Sequence, residues 1–204
     1  MSNNVELIGH YGGDRTHALS AWTSTLHEIT PERKKRIGPL LKMLAENGHH
    51  TPFEKSMLHF SVRCDTASHI HLLKHRIGVS VNGESARYAE LKDPTFYIPE
   101  DWTEEHQQRA VDLYRMIEGE YHSFVRQLER FLGRKRAKES ARFLLPYANQ
   151  LDLDVSFNFR SFAHFLSLRH KPDAQKEIND IADQMLWLVR GLDDFKLSLE
   201  AFGL

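Results

Sequence analysis

The chain has 204 residues, 41% of them apolar and 27% charged, which suits one domain with a buried core over residues 1–204. Its 27 basic and 28 acidic residues give a net charge of −1, which excludes a general attraction to nucleic acid or to an anionic membrane. We expect a cytoplasmic protein, because no apolar run approaches the ~20 residues of a membrane span, the first residues do not resemble a signal peptide, and Cys64 is a lone cysteine.

The first half of the chain predicts two strands and two helices. VELIGHYGGD is typical of a short strand that ends in a glycine turn. Thr30 can cap a helix that begins at Pro31 and ends near Gly48. SMLHFSVRCD alternates as a half-buried strand does, and Thr66 can cap a helix over residues 67–76. The following GVSVNGES is predicted to lack regular structure, with order resuming at ARYAEL.

The second half is predicted to be mainly helical. After the proline-punctuated loop DPTFYIPEDW, Thr103 caps a long helix with a period of 3.6 residues. GRKRAK is predicted to be a basic link, followed by a short helix that Pro146 ends. LDLDVSFNF alternates like a strand, SFAHFLSLR begins an amphipathic helix, and DAQKEINDIADQMLWLVRGL forms another. The predicted fold class is therefore α+β, helix-rich with a small antiparallel sheet.

Residues 74–88, KHRIGVSVNGESARY, combine cations with small polar residues. Lys74, His75 and Arg76 would point in different directions from a helix end, so an extended anion such as a dinucleotide could engage all three. The glycines free backbone N–H groups of the following loop, and Arg87 adds a planar fork that suits phosphate. A solvated helix end with a polar loop would account for the same residues.

A second polar cluster lies downstream, in Arg142 and in NFRSFAHFLSLRHKPDAQ. Arg160 and His164 are four residues apart, so they share a face of the predicted helix. Arg169 ends a mostly apolar segment, where burying an arginine is costly unless it is paired. The alternative is that these arginines reach the surface or pair with an acid such as Glu177.

The 13 histidines raise the possibility of a metal site. His71 and His75 have the i, i+4 spacing that zinc sites use, and His69 is close in sequence. A metal hydrolase is one alternative, but no acidic residue falls at helical spacing nearby and no HExxH or CxxC motif occurs, so we expect no metal. Nucleophilic catalysis is also weakly supported, because Cys64 has no base beside it and no serine lies in a G-x-S-x-G elbow.

Five segments together resemble the flavin-dependent thymidylate synthases. KHRIGVSVNGESARY resembles the RHR…S signature of that family, and GHHTPFEK resembles its GHxTPFEH segment. ARFLLP is similar to its AR-x-x-LP, NFRSFAHFLSLR to its N-x-R…FLxLR, and RHKPDAQKEI to its R…AQ-x-EI. The segments occur in the family's order and cover residues from about 46 to 178.

The resemblance implies an α+β homotetramer with active sites shared between subunits. It implies FAD as cofactor, with NADPH and methylenetetrahydrofolate as co-substrates, and reductive methylation of dUMP to dTMP without a covalent enzyme nucleophile. It implies no nucleic-acid or membrane partner.

The resemblance also assigns residues by their matching positions. Arg169 would be catalytic, facing the uracil ring and stabilising the negative charge that develops on it. The implied FAD-binding residues are Thr51, Lys74, His75, Arg76, Glu84, Asn158, Arg160 and His164. The implied dUMP-binding residues are His71, Lys74, Glu84, Ser85, Ala86, Arg87, Arg142 and Arg169.

Four departures from the family pattern fall in the nucleotide segment. Lys74 replaces the first arginine of the signature, and the spacer from Ile77 to Glu84 is one residue longer than in the family. Gly83 stands where a glutamate is usual, with Glu84 after it, and His71 replaces a glutamine. These changes motivate the alternative of a relative that acts on another pyrimidine nucleotide or gives a hydroxymethyl product. Outside the family, the alternative is a nucleotide-binding module without catalysis.

Overall fold

The structure is a computed structural model and describes residues 2–23, 29–85, 91 and 94–204. The described chain groups into two compact units. The first unit contains Arg63–His71 and Gly83–Leu153 with the N-terminal residues up to Asn3, and the second contains Asn4–Val62, Leu72–Asn82 and Asp154–Leu204. One domain over the whole chain stays a prediction.

The predicted α+β class is confirmed, with many helices and a small antiparallel sheet. The strands are β1 (Asn4–Tyr11), β2 (Met57–Asp65), β3 (Val79–Gly83) and β4 (Gln150–Phe157). The helices are α1 (Asp14–Ala21), α2 (Pro31–Lys34), α3 (Ile37–Glu46), α4 (Thr66–Leu73), α5 (Glu104–Ala141), α6 (Phe159–Arg169), α7 (Lys176–Arg190) and α8 (Lys196–Phe202). Short 3₁₀ turns lie at Thr51–Glu54, Arg142–Leu144 and Asp193–Phe195. No described helix has the length and apolar character needed to cross a membrane.

The four strands form one sheet in the order β1-β2-β4-β3. The pairing of β3 with β4 is fixed near both ends: Glu84 N–H donates to the Asp152 carbonyl, and Asn158 N–H donates to the Gly78 carbonyl. Since the partner number falls as the residue number rises, this pair is antiparallel.

The two faces of the sheet differ in character. Along β4, Leu153, Val155 and Phe157 are buried, whereas Asp152 and Asp154 alternate with them on the exposed face. Asp152 accepts two hydrogen bonds from Arg63, at 2.7 and 2.6 Å, and this bonding lowers the pKa of its carboxyl. The strands therefore carry one apolar face and one face of paired charges.

An aromatic core fills the second unit. Phe162 of α6 stacks on Phe60 of β2, with ring centroids 6.0 Å apart, and lies edge-on to Phe157 of β4. Phe53 and Phe159, both fully buried, extend this core toward α8. The apolar face of α6 thus packs on the sheet, which orients its polar face away from the core.

A buried chain of hydrogen bonds ties α1 to α8. Asp14 accepts the N–H groups of Leu197 and Ser198, at 2.8 and 2.7 Å, and also the Ser198 hydroxyl. Because Ser198 donates to Asp14, its oxygen accepts from Nδ1–H of His17, whose Nε2 then accepts from Ser56, both at 2.8 Å. Burial raises the pKa of Asp14 and lowers that of His17 to about 4, so this histidine is neutral.

The first unit is built on the long helix α5. Thr103 caps it by accepting the His106 N–H, as predicted, and Tyr121, Val125 and Ala141 pack against Leu91 in a small core. The helix is broken only at Gly133, where φ is +74°. The predicted basic link is therefore wrong: residues after Gly133 return at once to helical geometry.

Three other local predictions need correction. GVSVNGES contains strand β3, at the edge of the sheet, because backbone pairing with β4 outweighs its turn-like composition. The helix expected from Pro31 to Gly48 is two helices, α2 and α3. The helix expected through residue 76 ends at Leu73. Most of ARYAEL lies outside the described residues.

Candidate functional site

The second unit has an open cavity of about 400 Å³ above the polar face of α6. Arg160 and His164 both line it, one helical turn apart as their spacing predicts. The apolar part of its wall includes Ile77, Ala163 and Phe202. The cavity therefore offers an apolar surface beside the guanidinium of Arg160, which pairs with Glu54, and such a surface suits a flat aromatic ligand.

Asn158 sets the position of this helix. Its side chain accepts the Ser161 N–H at 2.8 Å and so caps the first turn of α6. Ser161 in turn donates its hydroxyl to the Ile77 carbonyl at 2.6 Å, and Asn158 N–H donates to the Gly78 carbonyl at 3.0 Å. The segment after α4 is thereby held against the N-terminus of α6.

Gly78 is required by this close approach. Its φ is +65°, and a Cβ there would lie 2.2 Å from the Asn158 amide nitrogen and 2.4 Å from the Ser161 hydroxyl. We expect Gly78→Ala to lower the free energy of unfolding by about 2 kcal/mol, because it adds a clash with the helix cap to the backbone strain. Denaturant unfolding measures the loss.

Gly48→Ala is the matched control for Gly78→Ala. Gly48 has a similar φ of +70°, but a Cβ there would meet nothing within 4 Å. Its cost is the backbone strain alone, about 1 kcal/mol. Equal losses for the two variants would contradict a special role for the contact between Gly78 and Asn158.

His75 and Arg169 form a contact of their own in the second unit. Arg169 Nε donates to His75 Nε2 at 3.2 Å, and the buried His75 ring lies edge-on to Phe165. Nε2 is the acceptor, so the proton of a neutral His75 is on Nδ1. The contact fixes one edge of the guanidinium and leaves its terminal nitrogens for other partners.

The other predicted cofactor residues of this unit come from separate segments of the chain. Arg160 pairs with Glu54, whose 3₁₀ turn begins at Thr51. Lys74 and Arg76 are exposed, in the segment that follows α4. These two cations and Thr51 do not line the cavity of the second unit.

A second cavity of about 380 Å³ lies within the first unit. It brings together three residues predicted to bind the nucleotide, Glu84, Ser85 and Arg142, from segments almost 60 positions apart in the chain. Arg142 follows α5, and its guanidinium lies 5.8 Å from the Phe143 ring centroid. Glu84 is fixed by its backbone pairing with β4.

Not every predicted nucleotide residue reaches this cavity. His71 does not line it. Ala86 and Arg87 lie outside the described residues. Further wall residues come from positions that no motif singled out for the nucleotide: His69, Tyr147 and Asn149. His69 is two residues before His71 on a short helix, a spacing that would have placed the two on different faces.

The described ranges contain no group of three His, Cys, Asp or Glu side chains placed to hold a metal ion. Cys64 is buried in β2, and burial raises the pKa of its thiol well above the ordinary value. A thiol in that environment is a poor nucleophile.

Comparison with known proteins places the chain in one family. The family described as thymidylate synthase complementing protein matches residues 6–192. The flavin-dependent thymidylate synthase of Thermosipho africanus is 36% identical over 195 residues, which cover 87% of this chain and 82% of that protein. The enzyme of the same name from Pseudothermotoga lettingae is 31% identical over 185 residues, covering 87% and 80%.

Solved structures point the same way. The UMP/dUMP methylase PolB of Streptomyces cacaoi bound with 5-Br dUMP matches with a TM-score of 0.81 and 28% identity, over 100% of this chain and 96% of that chain. PolB bound with 5-Br UMP matches with a TM-score of 0.76 and 27% identity, over 100% and 95%. The family match spans most of the chain and confirms the resemblance seen in the five motifs. The chain therefore belongs to the thymidylate synthase complementing proteins, the flavin-dependent thymidylate synthases, and is a methyltransferase.

Proposed function

We propose that the enzyme converts dUMP to dTMP, taking a one-carbon unit from methylenetetrahydrofolate and two electrons from NADPH through bound FAD. The observation that carries the proposal is the cavity of the first unit, where Glu84, Ser85 and Arg142 meet as the family motifs predict for a nucleotide. Relatives named flavin-dependent thymidylate synthase and a neighbour bound with 5-Br dUMP support the same substrate.

The residues of the second unit fit a flavin dinucleotide. An apolar wall with Ile77 and Phe202 suits a flat ring, and Arg160, paired with Glu54, provides hydrogen-bond donors at the cavity. The proposed FAD-binding residues of this unit are Thr51, Lys74, His75, Arg76, Asn158, Arg160 and His164. Bound flavin supplies the hydride that turns the transferred methylene carbon into a methyl group.

The chain's own residues bind and polarise the nucleotide. Arg142 and Ser85 are proposed to hold the phosphate, together with Ala86 and Arg87; the assignments of His71 and Lys74 to the nucleotide rest on the resemblance alone. Arg169, aimed by His75, is proposed to donate to the uracil edge where negative charge develops, a role that a preorganised cation performs best in a site shielded from water. No covalent nucleophile is required, which agrees with the burial of Cys64.

We also propose that the protein is a homotetramer with active sites shared between subunits. Large apolar side chains remain exposed in the single chain, among them Ile77 and Phe131, each 84% exposed, and Trp187, 75% exposed. Such residues are typical of surfaces that another subunit covers. Light scattering of the purified protein measures the oligomer directly, and a monomer at working concentration would contradict it.

A second substrate, UMP, is the alternative. The structural neighbour PolB is named a UMP/dUMP methylase and was solved with both bromo-nucleotides. The longer spacer before Ser85 and the glycine at position 83 lie in the segment that leads into the nucleotide cavity. These features favour testing the ribonucleotide beside dUMP, and testing for a hydroxymethyl product beside a methyl product.

Product analysis tests the function. The purified flavoprotein is incubated with methylenetetrahydrofolate, NADPH and either dUMP or UMP, and the nucleotide is analysed by mass spectrometry. We expect the mass of dUMP to increase by one CH₂ group, and we expect this increase only when flavin and NADPH are present. A gain that includes oxygen would indicate the hydroxymethyl product, and no change in either nucleotide would overturn the proposed function.

A further inference from the structure

His69 lies in the wall of the first unit's cavity, together with Glu84, Ser85 and Arg142. It lies in the first turn of α4, the helix that begins directly after β2. The side chain is half-buried, and burial lowers its pKa, which favours the neutral imidazole. A neutral imidazole can both donate and accept a hydrogen bond.

The start of α4 is hydrogen-bonded to other residues that line this cavity. Thr66 N–H donates to the carbonyls of Tyr147 and Asn149, at 2.9 and 3.0 Å, and its hydroxyl donates to the Asn149 carbonyl at 2.9 Å. Asp65 caps the helix by accepting the Ser68 N–H at 2.9 Å. Both Tyr147 and Asn149 line the cavity, so the position of His69 relative to that wall is fixed.

Gly83 of β3 lies beside the His69 ring. A Cβ at Gly83 would lie 3.7 Å from both Cε1 and Nε2 of His69, which places this edge of the imidazole directly over β3. Within the described part of the chain, neither ring nitrogen of His69 makes a hydrogen bond. The imidazole therefore has hydrogen-bonding capacity available for a ligand.

The rest of the cavity wall separates into two kinds of surface. Arg142 is the only lysine or arginine among its described wall residues. Five wall residues are apolar: Leu91, Phe143, Leu145, Pro146 and Leu151. The Asn149 Oδ1 atom is buried, and no described group donates to it. A ligand with one anionic group, an apolar ring face and polar ring substituents would match this wall.

We propose that His69 recognises the nucleoside part of the bound pyrimidine nucleotide by a hydrogen bond from its imidazole, while Arg142 holds the phosphate. The inference rests on the proposed function for the identity of the ligand. It adds a recognition residue from α4 that lies outside the family motifs, next to a strand that lacks a side chain at position 83.

The proposal is tested by removing the phosphate from the ligand and by replacing single side chains of the protein. Dissociation constants of dUMP and deoxyuridine are measured by NMR titration on the flavin-loaded enzyme and on its His69→Phe, His69→Gln and Arg142→Gln variants. We expect His69→Phe to weaken both ligands by the same factor, about tenfold for one lost hydrogen bond. His69→Gln, which keeps a donor and an acceptor, should recover part of the loss, and Arg142→Gln should weaken dUMP only.

Three results would overturn the assignment. They are unchanged dUMP binding by His69→Phe, a loss for dUMP without a loss for deoxyuridine, and equal losses for the Phe and Gln variants. The flavin content and melting temperature of each variant should match those of the unchanged protein. If the larger ring of His69→Phe impairs folding, His69→Ala is used in its place. If the unchanged enzyme binds neither ligand, the proposed function itself fails, a result distinct from any His69 effect.

Discussion

Replacing Arg169 with alanine is expected to lower turnover of dUMP on the order of 100-fold while the protein keeps its flavin. The guanidinium is held by His75 at 3.2 Å at the end of α6, and the proposed function has it face the uracil ring of the bound nucleotide. Loss of one preorganised electrostatic contact to a reacting group costs about 3 kcal/mol of transition-state stabilisation. Steady-state kinetics should show the loss mainly in kcat, because the contact strengthens as charge develops.

Arg190→Ala is the matched control for Arg169→Ala. Arg190 is exposed and is the last residue of α7, as Arg169 is the last residue of α6. It should change kcat by no more than about twofold. Arg169→Lys should recover only part of the activity, since an ammonium lacks the planar fork that can contact His75 and the ring together. Near-normal turnover of Arg169→Ala would refute the catalytic assignment.

The free energy of unfolding is expected to fall by about 2 kcal/mol between about pH 7 and about pH 5 because of His17. Its pKa is about 4 in the folded protein, against an ordinary value of 6.5, since burial opposes the charged form. Below the ordinary value the unfolded chain binds a proton that the folded protein does not, so stability is lost as the pH falls toward 4. Above about pH 7 the contribution is fully present.

Denaturant unfolding at several pH values measures this effect. His17→Gln should be less stable near neutral pH, because it breaks the chain through Ser56 and Ser198, but its stability should depend less on pH over the same range. His69→Gln is the control, since it removes another histidine whose pKa burial lowers but leaves the chain through Ser56 and Ser198 intact. Asp14 acts with the opposite sign: burial raises the pKa of its carboxyl, so its protonation favours the folded protein. Equal slopes for the unchanged protein and His17→Gln would refute the prediction.

The sequence predicted the elements whose signal is local. Alternation of apolar and polar residues predicts β2 and β4. Thr30 and Thr103 predict the starts of α2 and α5, because a capping side chain bonds to a backbone group within one turn. Strand β3 could not be recognised in the same way. Five residues with glycine and asparagine form a strand only because β4 supplies the pairing, and that partner lies about 70 positions away.

The candidate site shows the same limit. Spacing within one helix predicted that Arg160 and His164 share a face, and the structure places both on one cavity. The hydrogen bond between Arg169 and His75 joins residues 94 positions apart, and the spacing of residues within one helix or strand cannot predict such a contact. Phe202 and His69 were missed for a similar reason: each lines a cavity that is formed largely by other segments, and neither belongs to a motif.

The alternation along β4 also protects the sheet against misalignment. If β4 slid by one position against its neighbours, Asp152 and Asp154 would turn inward and Leu153, Val155 and Phe157 would face water. The two carboxylates would then be removed from water, which is costly for an unpaired charge. The same shift would separate Asp152 from Arg63. A single added residue inside the strand would therefore disrupt the whole sheet.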